Sequence, residues 1–507
     1  MNQMQQINYE GLKKQLLLEV LPAVTVGRSR ENSAGSLESV ESNEDASLTL
    51  KYGLTSKLTL DGTINPDFSQ VESDAGQVDF NQRFALFYPE MRPFFIEGHD
   101  YFNFAGVSGG NPVGSVVHTR TIVNPVAGLK LTGKVSDKTT VASIFATDDL
   151  YDDTGGDYAQ FGILRVKQAL DQDSYFGGIF TDRERDHGFN RVAGLDGQFR
   201  LNQSTTLTGH VLLSNTDDDL DSEINDASGQ AFALNINHNN RDRNISIGFR
   251  DLSSDFMSES GYVTRTDNTR VGLSYTPKFY PENPVIQRID FPVQTRNIYD
   301  KPSTLWENHF AANVVLVMPR RSRISVGYNN TTEIYLGEKF RTNGLAATGN
   351  SQITKEFYFR FFIGRQDMIR YEDDPYQGYG HDFSANFVYQ PSDNFRSSMN
   401  YTYTDFYRKS GDEKIFDYSI VRSWNTYQFN RYLFFRGILE YNSFREDLLT
   451  DFLLSFTYIP GTVLHIGYGS LYEKQKWDGI NQRFIDASGF HEMKRGLFFK
   501  TSYLWRL

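Results

Sequence analysis

The run Glu97-Gly98-His99-Asp100 is the chain's nearest approach to catalytic chemistry. A histidine beside a carboxylate is a common way to fix an imidazole tautomer for general-base work. No Gly-x-Ser-x-Gly nucleophile elbow stands nearby, and on an extended strand His99 and Asp100 would point to opposite faces. The chain is therefore read as a non-enzyme. Charge selection is a second possible chemistry. Asp67, Glu72, Asp74, Glu90, Arg92, Glu97, His99 and Asp100, with Arg120 further on, are interleaved with Phe94, Phe95, Tyr101 and Phe102. Rings of charged side chains select solutes in pores. The same residues also suit a structural plug, with Arg92 pairing Glu90 or Glu97 and the phenylalanines filling space. Divalent-cation binding is a third. Asp217, Asp219 and Asp221 alternate in the manner of oxygen ligands, but the turn glycine and closing glutamate of an EF-hand loop are missing. The run Asp148, Asp149, Asp152 and Asp153 is acidic too, and both are expected to be solvated loops bridged by divalent ions to lipopolysaccharide. The 9 histidines stand singly, so no resident metal or cofactor is expected.

The elements that would position these groups are strands. Leu48, Leu50, Tyr52 and Leu54 alternate with polar residues, as do Leu58, Leu60 and Ile64 after a tight turn. That period of two marks a hairpin with one apolar face. Similar hairpins recur from Ile122 onward, with Phe383, Ala385, Phe387 and Tyr389 facing one way and Met399, Tyr401 and Tyr403 returning across the turn Pro391–Asn394. Short connections near Thr55, Asp137, Gln203, Arg320, Ser392 and Gly461 alternate with longer polar ones. The longer ones are Arg30–Glu44, Asp148–Asp157, Thr216–Ala227, Ser253–Asp267, Gln366–Gly380 and Leu471–Met493. Short turns on one rim and long loops on the other are the pattern of outer-membrane barrels.

Composition agrees. The 507 residues are 14% aromatic, with 29 Tyr and 40 Phe, yet mean hydropathy is −0.49. A lipid-facing girdle around a wet interior gives that combination. No run reaches the roughly 18 consecutive apolar residues of a membrane helix. The net charge of −12 argues against a nucleic-acid partner, which needs a basic face. Cysteine is absent, in keeping with an oxidising periplasm. At about 19 to 20 residues per strand and connection the expectation is a large antiparallel transmembrane barrel of about 26 strands, within 24 to 28. A lumen that wide is open, plugged or occupied. Residues 1–15 read as a periplasmic tail without a secretory signal's apolar core, 16–507 as the barrel, and 65–116 as a segment folded into the lumen. That segment is expected to be largely irregular, with one strand near Val78–Tyr88. In the last strand Phe499, Tyr503, Trp505 and Leu507 share one face, resembling the terminal signal read by barrel-insertion machinery.

Asn65–Asp74 (NPDFSQVESD), Phe87–Gly98 (FYPEMRPFFIEG) and His118–Ile122 (HTRTI) resemble a family of uncharacterised outer-membrane proteins of Gram-negative bacteria. The resemblance implies a C-terminal barrel preceded by a carbohydrate-binding-like domain of the family-nine type, which the chain shown does not include. The family has a second arginine where Thr121 stands, which removes a paired-arginine role here. The leading functional expectation is a channel or transport component of the outer membrane, with both termini periplasmic, occluded in part by residues 65–116. The alternatives are a non-conducting scaffold that anchors a binding domain or docks a periplasmic or surface partner and, third, a membrane-embedded hydrolase.

Overall fold

The computed structural model describes residues 17–66, 75–107, 113–150, 158–171, 173–218 and 226–506. One antiparallel sheet runs through the described strands in chain order and closes on itself. Closure pairs strand Leu18–Ser33 with strand Arg483–Ser502, setting Ala23 opposite Ser502 and Glu31 opposite Lys494. Twenty-four strands form the barrel. Arg288–Asp290, Glu338–Arg341 and Trp505–Arg506 are short pieces that flank or prolong spanning neighbours. The count lies below 26 but within the expected range, because several strands outrun the average spacing: Arg483–Ser502 alone has 20 residues.

Side chains alternate between the two faces as the pleat requires. On strand Thr205–Asp218, Val211 and Leu213 are exposed outside, while His210, Leu212, Ser214 and Thr216 are buried inside. Asn386 and Asn400 share the inner face and are hydrogen-bonded at 2.5 Å, whereas Phe387 stacks near Phe359 outside, with ring centroids 4.9 Å apart. An outer surface of unpaired Val, Leu, Phe and Tyr is stable in hydrocarbon, where closure also leaves no backbone group unsatisfied. The fold is a transmembrane β-barrel.

Turns at 54–57, 135–138, 203–204, 319–321, 393–394 and 460–461 share one rim, as the spacing predicts. The other rim departs from expectation. Arg30–Glu44 is not a loop but the tip of a long hairpin that turns at Ala34 and Gly35, with φ of 52° and 87°. Leu471–Met493 is likewise mostly ladder, turning within 479–482, and Gln366–Gly380 shrinks to a connection at 371–375. Beyond the hydrocarbon both faces of a strand meet water, so paired strand and polar loop look alike in sequence.

The long departure lies between strands Leu58–Ile64 and Pro125–Lys134. These are neighbours in the sheet, with Ile64 opposite Ala127, so the chain leaves the wall after Ile64 and returns beside it. The described parts of this insertion, 75–107 and 113–124, contact inward-facing side chains. The expected strand over Val78–Tyr88 does not form. Asn81 substitutes for a ladder there: its side chain donates to the Ile369 carbonyl at 3.0 Å and accepts from the Tyr371 amide at 2.8 Å. Further on come a single helical turn, Pro93–Ile96, the 3-10 turns His99–Phe102 and Thr119–Thr121, and Val113–Ser115, which pairs with Tyr262–Val263 of a second inward-reaching connection.

Candidate functional site

Seven neighbouring strands of the barrel wall, Thr139–Asp149 through Arg243–Leu252, carry an apolar patch on the inner face. Ile144, Phe161, Ile179, Val192, Leu212 and Leu252 project inward from successive strands, and Phe95, Phe102, Phe104, Val116 and Ile122 of the insertion pack onto them in one buried cluster. A water-filled lumen would leave that wall hydrated at roughly 25 cal/mol per Å², so the insertion is its proper cover. Buried polar contacts fix the fit. Arg165 and Asp196 pair at 2.6 Å, Asp196 accepts the Ala105 amide at 2.8 Å, and His210 Nδ1 donates to the Ala105 carbonyl at 2.6 Å. Lys130 donates to the carbonyls of Phe94 at 2.6 Å and Glu97 at 2.8 Å.

Glu90 and Arg92 lock the two ends of the insertion together. Glu90 Oε1 accepts from the Arg92 backbone at 2.9 Å and from Arg92 Nε at 2.8 Å. Its other oxygen accepts from Arg92 Nη2 at 2.7 Å and from Thr119 Oγ1 at 2.6 Å. Arg92 also donates to the carbonyls of Ile122 and Thr119, each at 2.6 Å, and lies 4.4 Å from the Phe95 ring centroid. Burial alone would raise the Glu90 carboxyl, but the hydrogen bonds from Arg92 and Thr119 outweigh it and hold it below its ordinary value. Burial also lowers the neighbouring His118 imidazole, against the pull of Glu90 and with the push of Arg120 and Arg92. Its ring stacks on Phe87 at 4.9 Å.

The opposite side of the lumen is more polar, although Phe406 and Phe416 are buried there, and the insertion meets it differently. Asp79 accepts from Tyr418 at 2.9 Å and pairs with Arg445. Burial opposes ionisation of Asp79, but those two partners prevail and keep its carboxyl below the ordinary value. Arg83 pairs with Glu333 at 2.6 Å, and Tyr371 donates to the same carboxylate at 2.9 Å. Beside this stretch lies a cavity of about 1040 Å³, lined by Arg83, Arg265, Arg270, Arg296, His309 and Asp382 among others.

The sequence-selected residues are distributed as follows. Glu90, Arg92, Phe94 and Phe95 form one assembly with Lys130. Glu97 pairs with Lys51, and Arg120 donates to the Pro89 carbonyl at 3.1 Å. His99 opens the 3-10 turn after Gly98 (φ 74°), with Asp100 exposed beside it. Asp148 corrects the reading of its run as a solvated loop: it is buried at the end of a strand, and its two oxygens accept the amides of Val123 at 3.0 Å and Asn124 at 2.5 Å. Its role is to anchor the insertion's return. Asp217 ends a spanning strand. Among the described residues no three His, Asp or Glu side chains converge on a metal site. Phe499, Tyr503 and Trp505 lie exposed on the outer face. Asp67, Glu72, Asp74, Asp219, Asp221, Leu507 and the tail 1–15 fall outside the described residues. Sequence reasoning missed Asp79, Arg83, Arg270, Arg296 and His309. The available signal was a charge at the inward position of a strand whose outward residues are apolar, as Arg270 is beside Val271, Leu273 and Tyr275.

A closed barrel with an apolar girdle and an internally docked segment defines the class of large membrane-spanning β-barrels. The profile of a family described as "Domain of unknown function (DUF5916)" matches residues 17–124, which hold the first three strands and the whole insertion. No curated protein matches the sequence. Among solved structures, the copper transporter OprC is similar at a TM-score of 0.50 and 9% identity, over 97% of this chain and 80% of its own. The siderophore receptor PirA from Pseudomonas aeruginosa has a TM-score of 0.46 at 9% identity, over 96% of this chain and 80% of its own. At such identities the likeness to OprC is one of fold.

Proposed function

We propose that the chain is a transport barrel of the bacterial outer membrane, with both termini periplasmic and a lumen occluded by residues 65–116. The observation that carries this reading is the unlike seating of the insertion. Residues 93–107 and 113–122 are sealed onto an apolar wall by a continuous buried core, whereas 76–85 are held mainly by ion pairs and hydrogen bonds, with Phe80 seated between Phe416 and Phe444 at 4.9 and 4.7 Å. Polar contacts in a wet lumen exchange for water at small net cost; apolar burial does not. The 76–85 stretch is thus a latch on an anchored plug. The exposed aromatic face ending in Tyr503 and Trp505 would serve the insertion machinery, and the outward polar hairpins would meet lipopolysaccharide. The test is a tether. Because the chain lacks cysteine, Asp79→Cys with Arg445→Cys can be bridged by a bis-methanethiosulfonate linker about as long as the lost ion pair, which places one reversible disulfide tether across the latch. In planar bilayers the tethered form is expected to stay shut, and reductant to restore the openings shown by Asp79→Ala. Identical conductance of tethered, reduced and Asp79→Ala proteins would remove the latch.

A further inference from the structure

Three adjacent strands bring arginines to the same stretch of inner wall. Arg250 and Arg270 are directly opposite in register. On the next strand Arg296 faces Gly272, one pleat along from Arg270, and its other neighbour is His309. Like charges placed opposite each other destabilise a sheet, and ionisable residues in membrane-spanning segments mark functional sites by default. Arg250 and Arg296 return little as structural pairs. Arg250 donates to the neutral Asn235 side chain at 3.2 Å, and the Nε of both Arg250 and Arg296 is buried without an acceptor.

Among the described residues the carboxylates facing the same cavity are already engaged, Asp367 with Lys409 at 3.7 Å among them. Glu307 accepts from Arg265 at 2.9 and 3.0 Å and from the Ile334 amide at 2.8 Å. Glu333 holds Arg83 and Tyr371, and Asp382 accepts from Thr404 at 2.8 Å and Gln366 at 2.9 Å. Among the described residues the wall between Arg270 and Arg296 is bare, since a Cβ added at Gly272 would meet only the Thr295 carbonyl, 3.7 Å away. A planar guanidinium fork matches the two oxygens of a carboxylate or phosphate better than any other side chain.

We propose that Arg250, Arg270 and Arg296, with His309, form an oxyanion-recognition site for a small solute bearing a carboxylate or phosphate group. The inference rests on the transport reading for its purpose but not for its detection. Full-length protein in detergent is titrated with inorganic phosphate and with succinate, each against chloride at matched ionic strength, while the thermal midpoint is followed. Reversal potentials are measured in parallel under a KCl gradient. Wild type is expected to be stabilised by at least one of the two oxyanions beyond chloride. Arg296→Gln is expected to weaken that apparent affinity about tenfold, Arg296→Lys to recover it in part, and Arg323→Gln, on an exposed position by the short-turn rim, to leave it unchanged. Preference for phosphate or for succinate names the oxyanion. An oxyanion effect no larger than that of chloride, or equal responses in Arg296→Gln and Arg323→Gln, would overturn the site. Specific binding with electrically silent bilayers would keep the site and remove the channel. Conductance with unchanged ion selectivity in Arg296→Gln and no oxyanion binding would do the reverse.

Discussion

Replacing Glu90 by alanine tests whether the insertion is a part that opens by itself or a rigid share of the barrel. The Glu90 and Arg92 side chains are 4% and 7% exposed. Removal of the carboxylate takes the Glu90 counter-charge from a buried guanidinium that still donates to the Thr119 and Ile122 carbonyls. Breaking such a pair from one side costs about 3–5 kcal/mol. The Glu90 partners Met91, Arg92 and Thr119 all belong to the insertion, so the cost falls on docking of the insertion and not on barrel closure. At 1.36 kcal/mol per factor of ten, even the lower figure raises the open population of the insertion about a hundredfold. Hydrogen exchange with mass spectrometry reads this directly: peptides covering 87–107 and 113–122 should lose protection in Glu90→Ala, while those of strands Phe357–Arg370 and Tyr376–Ser392 should not. The double variant Glu90→Leu/Arg92→Met removes both charges and keeps the volume, and should restore much of the protection. Unchanged exchange in Glu90→Ala, or a double variant as loose as the single, would refute the lock.

Acidification should act on the same assembly. His118 has a lowered affinity for protons when docked, so its contribution is complete above its ordinary value of 6.5 and declines as pH falls below it. Glu90, also lowered, adds a second loss only as pH falls below 4.5. Measured against the intrinsic amide rate at each pH, protection of 113–122 should therefore fall between pH 7.5 and 5.5 in wild type and stay flat in His118→Phe. Phe102→Ala removes a side chain buried in the insertion's core and should cost about 3–5 kcal/mol of docking, visible as faster proteolysis of the insertion with unaltered heat-modifiable gel mobility. Arginine at Phe387 should cost about 2–4 kcal/mol near the bilayer midplane, while arginine at Asn386, on the wet face, should be tolerated. Equal yields of folded barrel from both would contradict the register.

Much of the barrel is legible because the bilayer imposes a period of two. The alternation at Phe383 to Tyr403 fixes which side chains face lipid, and the turn residues at Pro460-Gly461 place the rim. What escapes is whatever the bilayer does not constrain. The hairpin from Leu18 to Gly53 reads as strand, loop and strand, because Glu31, Glu38 and Glu44 extend the ladder into water. The insertion is legible as ordered chain with many phenylalanines, but its partners lie at distances of hundreds of residues: Asp79 meets Tyr418 and Arg445, and Asn81 meets Ile369. No local pattern encodes such pairings. Asp148 shows the same limit in one residue, since an acidic run looks solvated until the amides it caps are known.

The inner wall itself argues for a division of labour. Porin-like lumens are polar all round, yet here Ile144, Phe161 and Leu212 face inward on one side and Arg270, Arg296 and His309 on the other. The apolar side is incompatible with open water unless the insertion stays on it, so any passage must run along the polar side. That is where the latch residues Asp79 and Arg83 cross the lumen and where the arginines are concentrated. An oxyanion drawn to Arg296 would arrive beside the Arg83–Glu333 pair and compete for Arg83. On the proposed reading occlusion and recognition meet at one ion pair, and Glu333→Gln, which removes the closest partner of Arg83 and leaves it Glu307 at 3.9 Å, should tighten oxyanion binding while increasing conductance. A change in conductance alone would separate the latch from the site.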